Sequence, residues 1–289
     1  MTAATSPEQA LWTWHPHPDV WLLVIALVVG YLAALRFWGP KEAPRPERPA
    51  SIRQQTWFFL GVFCLWAGAD WPLHEASEDY LLSAHMIQHM IFTFVAPPLM
   101  LMGIPRWLLR RLIGPRALNA VVRFATKPLF ALIVFNAVIA VSHWPALVDV
   151  ALRVESVHFL VHVTLVGAAL MMWWPVIGPL PELPRLQDPL RMLYLFGQSI
   201  LPTVPASFLT FADSPIYEFY AEAPRLWGFS AVADQQVAGL IMKIGGGLLL
   251  WSIIVVLFFK WSAREEGEVT EELDWDEFES ELKAFDLRK

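Results

Sequence analysis

Long, uninterrupted apolar stretches are the feature that most limits what this chain of 289 residues can fold into. A helix needs about 20 mostly apolar residues to cross about 30 Å of hydrocarbon. The composition agrees with such helices, because 56% of the residues are hydrophobic and only 17% are charged. The sequence therefore predicts an all-α integral membrane bundle of seven transmembrane helices, not a soluble enzyme. We expect these helices in the windows 20–38, 55–73, 82–102, 128–148, 154–177, 190–211 and 236–260.

Charges in the connecting loops predict how the windows are oriented. Arginine and lysine are concentrated after the first and third windows, whereas the loops at 74–80 and 212–234 are mainly acidic. Basic loops stay in the cytoplasm, so we expect the N-terminus outside and the C-terminus inside. The basic residues are Arg36, Lys41, Arg45, Arg48 and Arg53 in the first loop, and Arg106, Arg110, Arg111, Arg116, Arg123 and Lys127 in the other.

We expect one membrane domain with two flanking segments: residues 1–18 outside the cytoplasm, the seven-helix domain at 19–262, and an acidic cytoplasmic tail at 263–289. The first ten residues lack the basic start and apolar core of a cleavable signal, so the first span should be retained. Much of the net charge of -6 lies in the tail, and no nucleic-acid-binding pattern is visible. The tail is expected to be solvated, with an amphipathic helix as the alternative. The apolar residues that would form that helix are Trp275, Phe278, Leu282, Phe285 and Leu287.

Histidines are the residues with the most chemical potential in these windows. His85 and His89 are four residues apart in the third window, and His158 and His162 are four apart in the fifth. This spacing places both imidazoles of a pair on one helix face. Because both windows run inward, His85 and His158 share one level, and His89 and His162 lie about 6 Å deeper. The two pairs therefore form matched layers in the outer half of the bundle.

These layers favour a metal site. A single intramembrane histidine usually holds helices together by hydrogen bonding. Two pairs at equal depth are harder to explain by packing, and neutral imidazole binds zinc, copper or iron. His74 and His143 reach the same leaflet from the second and fourth windows, and His15 and His17 precede the first window on that side.

Several other side chains accompany the histidines, and each has a structural alternative. Thioether sulfur favours Cu(I), but methionine also fills gaps in apolar cores. Acidic and amide groups can orient a ligating imidazole, but they also cap helices. The accessory candidates are Met86, Met90 and Met242 as ligands, and Asp70, Asp234 and Gln235 as groups around the ligands.

Prolines and one lysine mark irregular points in the windows. Pro97 and Pro98 in the third window, and Pro202 in the sixth, must break the helical hydrogen-bond ladder. Such breaks are tolerated where neighbouring helices satisfy the freed carbonyls, often around a cavity. Lys243 is expected to extend toward the membrane surface. Cys64 is the only cysteine, which excludes a disulfide framework and a CxxC motif within the chain.

The stretches HMIQHMIFTFVAPPLMLMGIP (85–105) and ADQQVAGLIM (233–242) resemble the multi-span CtaG family of assembly factors for caa3-type cytochrome c oxidase. The family pattern has both histidine pairs, the double proline and the opening Asp234-Gln235-Gln236 of the last span. This chain has Lys243 where the family commonly has tryptophan. The resemblance implies a protein of the bacterial cell membrane with no turnover of its own. It implies delivery of copper, expected as Cu(I), to the oxidase catalytic subunit on the outer side. The implied partners are oxidase subunits, an extracytoplasmic copper donor and membrane lipid.

Three other readings stay open at this point. Histidines from two helices can ligate haem b, although layers about 6 Å apart leave room for at most one haem. A copper or proton pathway is less favoured, because the cytoplasmic half has no continuing line of ionisable residues. The third reading is a metal-free scaffold for oxidase assembly.

Overall fold

A computed structural model describes residues 6–44, 48–272, 278, 280, 282 and 283. In this part of the chain every regular element is helical. The short helices are Pro7–Leu11, Leu73–Glu75, Arg106–Leu112, Arg116–Ala125, Pro145–Arg153 and Glu218–Glu222. The long helices are α1 (Pro18–Glu42), α2 (Ile52–Ala69), α3 (Leu82–Gly103), α4 (Pro128–Ser142), α5 (Glu155–Ile177), α6 (Asp188–Phe211) and α7, which joins Ala231–Leu240, Ile241–Gly245 and Gly246–Glu272.

Five of these helices, α1, α3, α5, α6 and α7, are long and apolar enough to cross a membrane. A sixth span results if α4 is joined to Arg116–Ala125, from which it is bent by 77°. Helix α2 has 18 residues, but its first turn contains Arg53, Gln54 and Gln55. The chain is therefore an all-helical, multi-pass membrane protein with five or six candidate spans. The seven-span count and the orientation stay predictions.

The predicted windows overlap the long helices, but the second window runs four residues past the end of α2 at Ala69, and the fourth also differs. Helix α4 ends at Ser142, and a separate helix starts at Pro145. Proline disfavours helical geometry in the residue before it, so Trp144 is extended and the chain turns there. At the other end of the chain, α7 continues past residue 262 to Glu272. Of the apolar tail residues, Trp275, Phe285 and Leu287 lie outside the described residues.

Helix α3, which carries His85 and His89, lies at the centre of the bundle. In its most apolar window 61% of the residues are buried, compared with 11% in α1 and 17% in α7. Helix α2 approaches it closely at Gly103, where any side chain would overlap the backbone of Phe58. Helices α5 and α7 pack against it from other sides. The central position puts the first histidine pair in contact with several neighbouring helices.

The double proline does not interrupt α3, because a π-helical turn at Ile91–Val95 absorbs it. Pro97 has no N–H to donate to the carbonyl of Thr93, four residues earlier. That carbonyl accepts instead from the indole Nε1 of Trp173 in α5, at 2.8 Å. The predicted compensation by a neighbouring helix is confirmed at this position. A second π-helical turn, at Ile241–Gly245, lies in α7.

The two ends of the bundle differ in charge. We call the end formed by residues 6–17, 70–81, 143–154 and 212–230 the histidine end. The opposite end, formed by residues 34–44, 48–53, 104–127, 178–191 and 260–266, is the arginine end. Three ion pairs join its loops: Arg110 with Glu182, Arg111 with Glu42, and Arg264 with Asp188.

Candidate metal site

Helices α3 and α5 bring the two predicted histidine pairs into one cluster. The ring centroids are 4.2 Å apart within each pair. Between the helices, His85 and His162 are 5.9 Å apart, and His89 and His162 are 5.3 Å apart. His85, His89 and His158 are buried, and His162 is partly buried. The i, i+4 spacing therefore correctly indicated which four imidazoles meet.

Three of these imidazoles have the geometry of a metal-binding set. One ring nitrogen from each of His85, His158 and His162 lies within 4.8 Å of the other two. The Nε2 atoms of His158 and His162 are 3.1 Å apart. Two nitrogens bound to one tetrahedral ion at 2.0–2.1 Å would be about 3.3 Å apart. The two atoms are thus close to the separation that a shared ion requires.

A carboxylate above the cluster, Glu78, was not identified as a site residue from the sequence. Its Oε1 atom lies 3.1 Å from Nδ1 of His158 and 3.0 Å from Nδ1 of His74. Neither contact has the direction of a hydrogen bond, so this buried oxygen keeps its hydrogen-bonding capacity unused. A carboxylate beside a ligating imidazole orients the ring and makes its other nitrogen a better ligand. We call His74, Glu78 and His158 the upper half of the site.

Several imidazole nitrogens in and beside the cluster are buried without partners in the part of the chain that the structure describes. His143 is held through Nδ1, which lies 2.7 Å from the carbonyl of Ile139, while its Nε2 has no partner among the described residues. Both ring nitrogens of His89 and Nδ1 of His85 are likewise unpaired in the described structure. An unpaired buried polar atom costs about 1–3 kcal/mol. Each of the three imidazoles therefore has at least one nitrogen that is available as a ligand in the described structure.

His89 and His143 line a small cavity. Its volume is about 20 Å³, enough for one water-sized ligand. The break in α6 at Pro202 and the glycines that follow the π turn of α7 open this space. Met90 and Met242 contribute to its wall, and their role as metal ligands stays a prediction. We call His89, His143 and Met242 the lower half of the site. The lining includes His89, Met90, Phe94, His143, Gln198, Pro202, Met242 and Gly246.

Asp234 acts on the site through the backbone. Its carboxylate accepts hydrogen bonds from the backbone N–H groups of Leu82, at 2.7 Å, and Ser83, at 3.1 Å. These N–H groups begin α3 and have no partner within the helix. Asp234 thus fixes the start of the helix that carries His85 and His89. The sequence suggested a cap for its own helix, but Ser230 caps that one.

The remaining accessory candidates lie around the cluster without touching it in the contacts described. The carboxylate of Asp70 accepts from the indoles of Trp21 and Trp66. Gln235 accepts from the backbone N–H of Ile216 at 2.7 Å. Met86 is buried in the apolar core. Their part in metal binding stays a prediction.

The histidine end is closed by a tyrosine and lined with acidic groups. Tyr220 donates to the carbonyl of Ser77 at 2.6 Å, and its ring lies 6.3 Å from that of His85. Burial, and next the charge of Glu78, raise the pKa of Tyr220, so the hydroxyl remains a donor. Burial also raises the pKa of Asp79 beside it. A cation at this end would therefore meet acidic side chains before it meets the imidazoles.

Comparison with known proteins identifies one family. The model of the cytochrome c oxidase caa3 assembly factor family matches residues 29–264, which include all six clustered histidines. An uncharacterized protein of Mycobacterium tuberculosis is 24% identical over 232 residues, which are 73% of this chain and 35% of that protein. One of Mycobacterium leprae is 27% identical over 209 residues, 65% of this chain and 31% of that protein. The chain thus spans much less than half the length of these relatives. No solved structure matches it.

Proposed function

This chain belongs to the cytochrome c oxidase caa3 assembly factor family, and we propose that it binds copper in its histidine cluster and helps to deliver it to the oxidase catalytic subunit. Family membership makes it a protein of oxidase assembly. The observation that carries the copper proposal is the set of nitrogens from His85, His158 and His162 within 4.8 Å of one another. The unpaired, buried nitrogens of His89 and His143 add further potential ligands to this set.

The chemistry of the donors favours Cu(I) over other cargo. Neutral imidazole and thioether are soft or borderline ligands, and the lower half combines His89 and His143 with Met242. A hard cation would require an oxygen-rich shell. Haem b fits less well, because the cavity beside His89 has a volume of about 20 Å³, which is too small for a porphyrin.

We propose a seven-span topology with the histidine end outside and the arginine end in the cytoplasm. Arginine-rich loops at one end and acidic loops at the other support this orientation. Helix α2 and the bent α4 would be the two spans beyond the five. In this orientation the cluster opens toward an extracytoplasmic copper donor and toward the outer side of the oxidase. Labelling of single cysteines at Arg116 and Glu222 tests it, because only the position at 222 should react from outside.

A deletion strain tests the function. Under limiting copper we expect oxidase activity to fall while oxidase transcripts persist, and the wild-type gene to restore it. A His158→Ala/His162→Ala variant should accumulate in the membrane but fail to restore activity. Thr126→Ala removes another buried polar side chain, at the arginine end, and serves as the control. Full restoration by the double variant would instead indicate a metal-free scaffold, and a haem spectrum of the purified protein would indicate the haem reading.

A further inference from the structure

The N-terminal segment, residues 6–17, folds over the histidine end and is held there by several contacts. The indole of Trp71 donates to the carbonyl of Leu11 at 3.2 Å, and the rings of Trp12 and Trp71 are 5.9 Å apart. Glu8 accepts from the backbone N–H of Trp227 at 3.2 Å. These contacts fix the position of the chain that follows, which contains His15 and His17.

His15 and His17 meet a carboxylate that leads inward. The side chain of His15 is 59% exposed, and its Nδ1 lies 3.8 Å from Oε1 of Glu75. Nε2 of His17 lies 3.0 Å from the same oxygen, and the ring of His17 is 4.3 Å from that of His74. The side chain of Glu75 is only 6% exposed. The four groups therefore lead from solvent to the buried loop above the cluster.

Glu78 continues this series into the cluster. Its Oε1 lies 3.0 Å from Nδ1 of His74 and 3.1 Å from Nδ1 of His158, which in turn lies against His162. Oε2 of Glu75 and Oε1 of Glu78 are buried and have no hydrogen-bond partner among the described residues. Buried carboxylate oxygens without partners are costly, and a cation between them and the imidazoles would remove that cost.

We propose that copper enters the cluster along this series, from His15, His17 and Glu75 through His74 and Glu78 to His158. This path rests on the copper-binding function proposed above. At each step the ion gains a ligand from the next residue before it loses the previous one. Its oxidation state does not change, and no other reactant is needed. Carboxylates lining a narrow opening raise the local concentration of cations and their rate of entry.

A second opening at the same end provides the alternative route. Arg153 and Glu222, 3.4 Å apart, lie with Asp79 and Phe219 around a wide surface pocket on another side of the histidine end. The guanidinium of Arg153 would oppose a cation there. Glu222 is exposed and belongs to no series of ligands in the described structure, so its substitution is a matched control for that of Glu75.

The rate of uptake separates the path from the site that it serves. Purified protein in detergent would be mixed with Cu(I) held by a coloured chelator, and the loss of colour would be followed by stopped flow. We expect His17→Ala/Glu75→Gln to slow uptake roughly tenfold, because the lined opening is lost. The final copper content should match the wild type, since the cluster is intact. His15→Ala, which changes an exposed side chain, should slow uptake less, and Glu222→Gln should not slow it.

Each result has a defined meaning. Wild-type uptake rates in His17→Ala/Glu75→Gln, or equal slowing by Glu222→Gln, would overturn the path while leaving the copper site intact. Slower uptake together with lower final copper content would also overturn it, because these residues would then belong to the storage site itself. If the wild-type protein takes up no copper, the proposed function itself fails, and the path fails with it. A normal melting temperature of the double variant confirms that it is folded.

Discussion

The upper and lower halves of the site both contain histidine side chains, but their surroundings differ. In the upper half, His74 and His158 lie at 3.0 and 3.1 Å from one carboxylate oxygen of Glu78. In the lower half, His89 and His143 line a small cavity whose wall combines Met242 with apolar side chains and a few uncharged polar ones. Carboxylates attract cations of any hardness, whereas thioether and unpaired imidazole select soft ions. If the cluster binds copper as proposed above, the upper half would admit the ion and the lower half would retain it.

We expect the largest effect from replacing His162, whose imidazole lies between the two halves. This substitution tests whether the two halves form one site. His162→Ala should lower Cu(I) affinity by more than about 100-fold, since even the loss of a ligand's partner costs about 10- to 100-fold. His89→Ala should act in the same direction. Without metal, either variant should change stability by only about 1 kcal/mol. Chelator competition and thermal unfolding of the metal-free protein measure both quantities.

Thr126→Ala, at the arginine end, is the control for these two variants, and it should leave Cu(I) affinity unchanged. Full copper retention combined with a large loss of stability would mean that the histidines hold the helices together instead of a metal. The two halves would then not be parts of a metal site.

A smaller effect is expected from the carboxylate that distinguishes the upper half. Glu78→Gln keeps the size of the side chain but removes its charge from beside His74 and His158. Cu(I) affinity should fall by about 10- to 100-fold, the usual cost of losing a group that orients a ligand. Asp79→Asn removes the neighbouring carboxylate and should change affinity less than twofold. Equal effects of the two variants would show that only the net charge of the loop matters.

Next in size is the effect of Asp234 on the helix that supplies both halves. Asp234→Asn weakens the acceptor for the N–H groups of Leu82 and Ser83, and a hydrogen bond to a charged group contributes about 1.5–3 kcal/mol. We expect a loss of about 2 kcal/mol in unfolding free energy, measured by thermal denaturation in detergent. Asp213→Asn, an exposed carboxylate at the same end, should be neutral. An unchanged melting temperature for the Asp234 variant would show that this cap does not anchor α3.

The smallest effect tests the softness of the lower half. Met242→Leu preserves volume but replaces sulfur with carbon, and it should lower Cu(I) affinity by at most about tenfold, the lower limit for groups that support a ligand. Zn(II) binding should not change, because zinc does not prefer thioether sulfur. Met172→Leu, in the apolar core, is the control. A matching loss of Zn(II) affinity would indicate altered packing, in which case the lower half would not select by softness.

Several features of the site were predictable, because they depend on spacing along one helix. The i, i+4 pairs specified the shared face of His85 with His89 and of His158 with His162, and equal depth correctly implied that the pairs meet. Proline at position 97 implied a freed carbonyl, which Trp173 satisfies. Sequence reasoning missed Glu75 and Glu78, which lie in short helical turns between α2 and α3. The four-residue spacing of His74 and Glu78 was the local signal for one of them. His17 was placed at the correct end of the bundle, but its contact with Glu75 was not predicted.

The sequence by itself determined where most of the membrane-length helices lie and which imidazoles share a face and a depth, because hydrophobic length and helical periodicity are properties of a local stretch of chain. Only the tertiary structure decided that Asp234 caps α3 and that Glu78 lies between His74 and His158. It also decided that an opening below His89 is walled by sulfur. These features depend on how distant segments pack, and a contact across the bundle leaves no local pattern in the residues that make it.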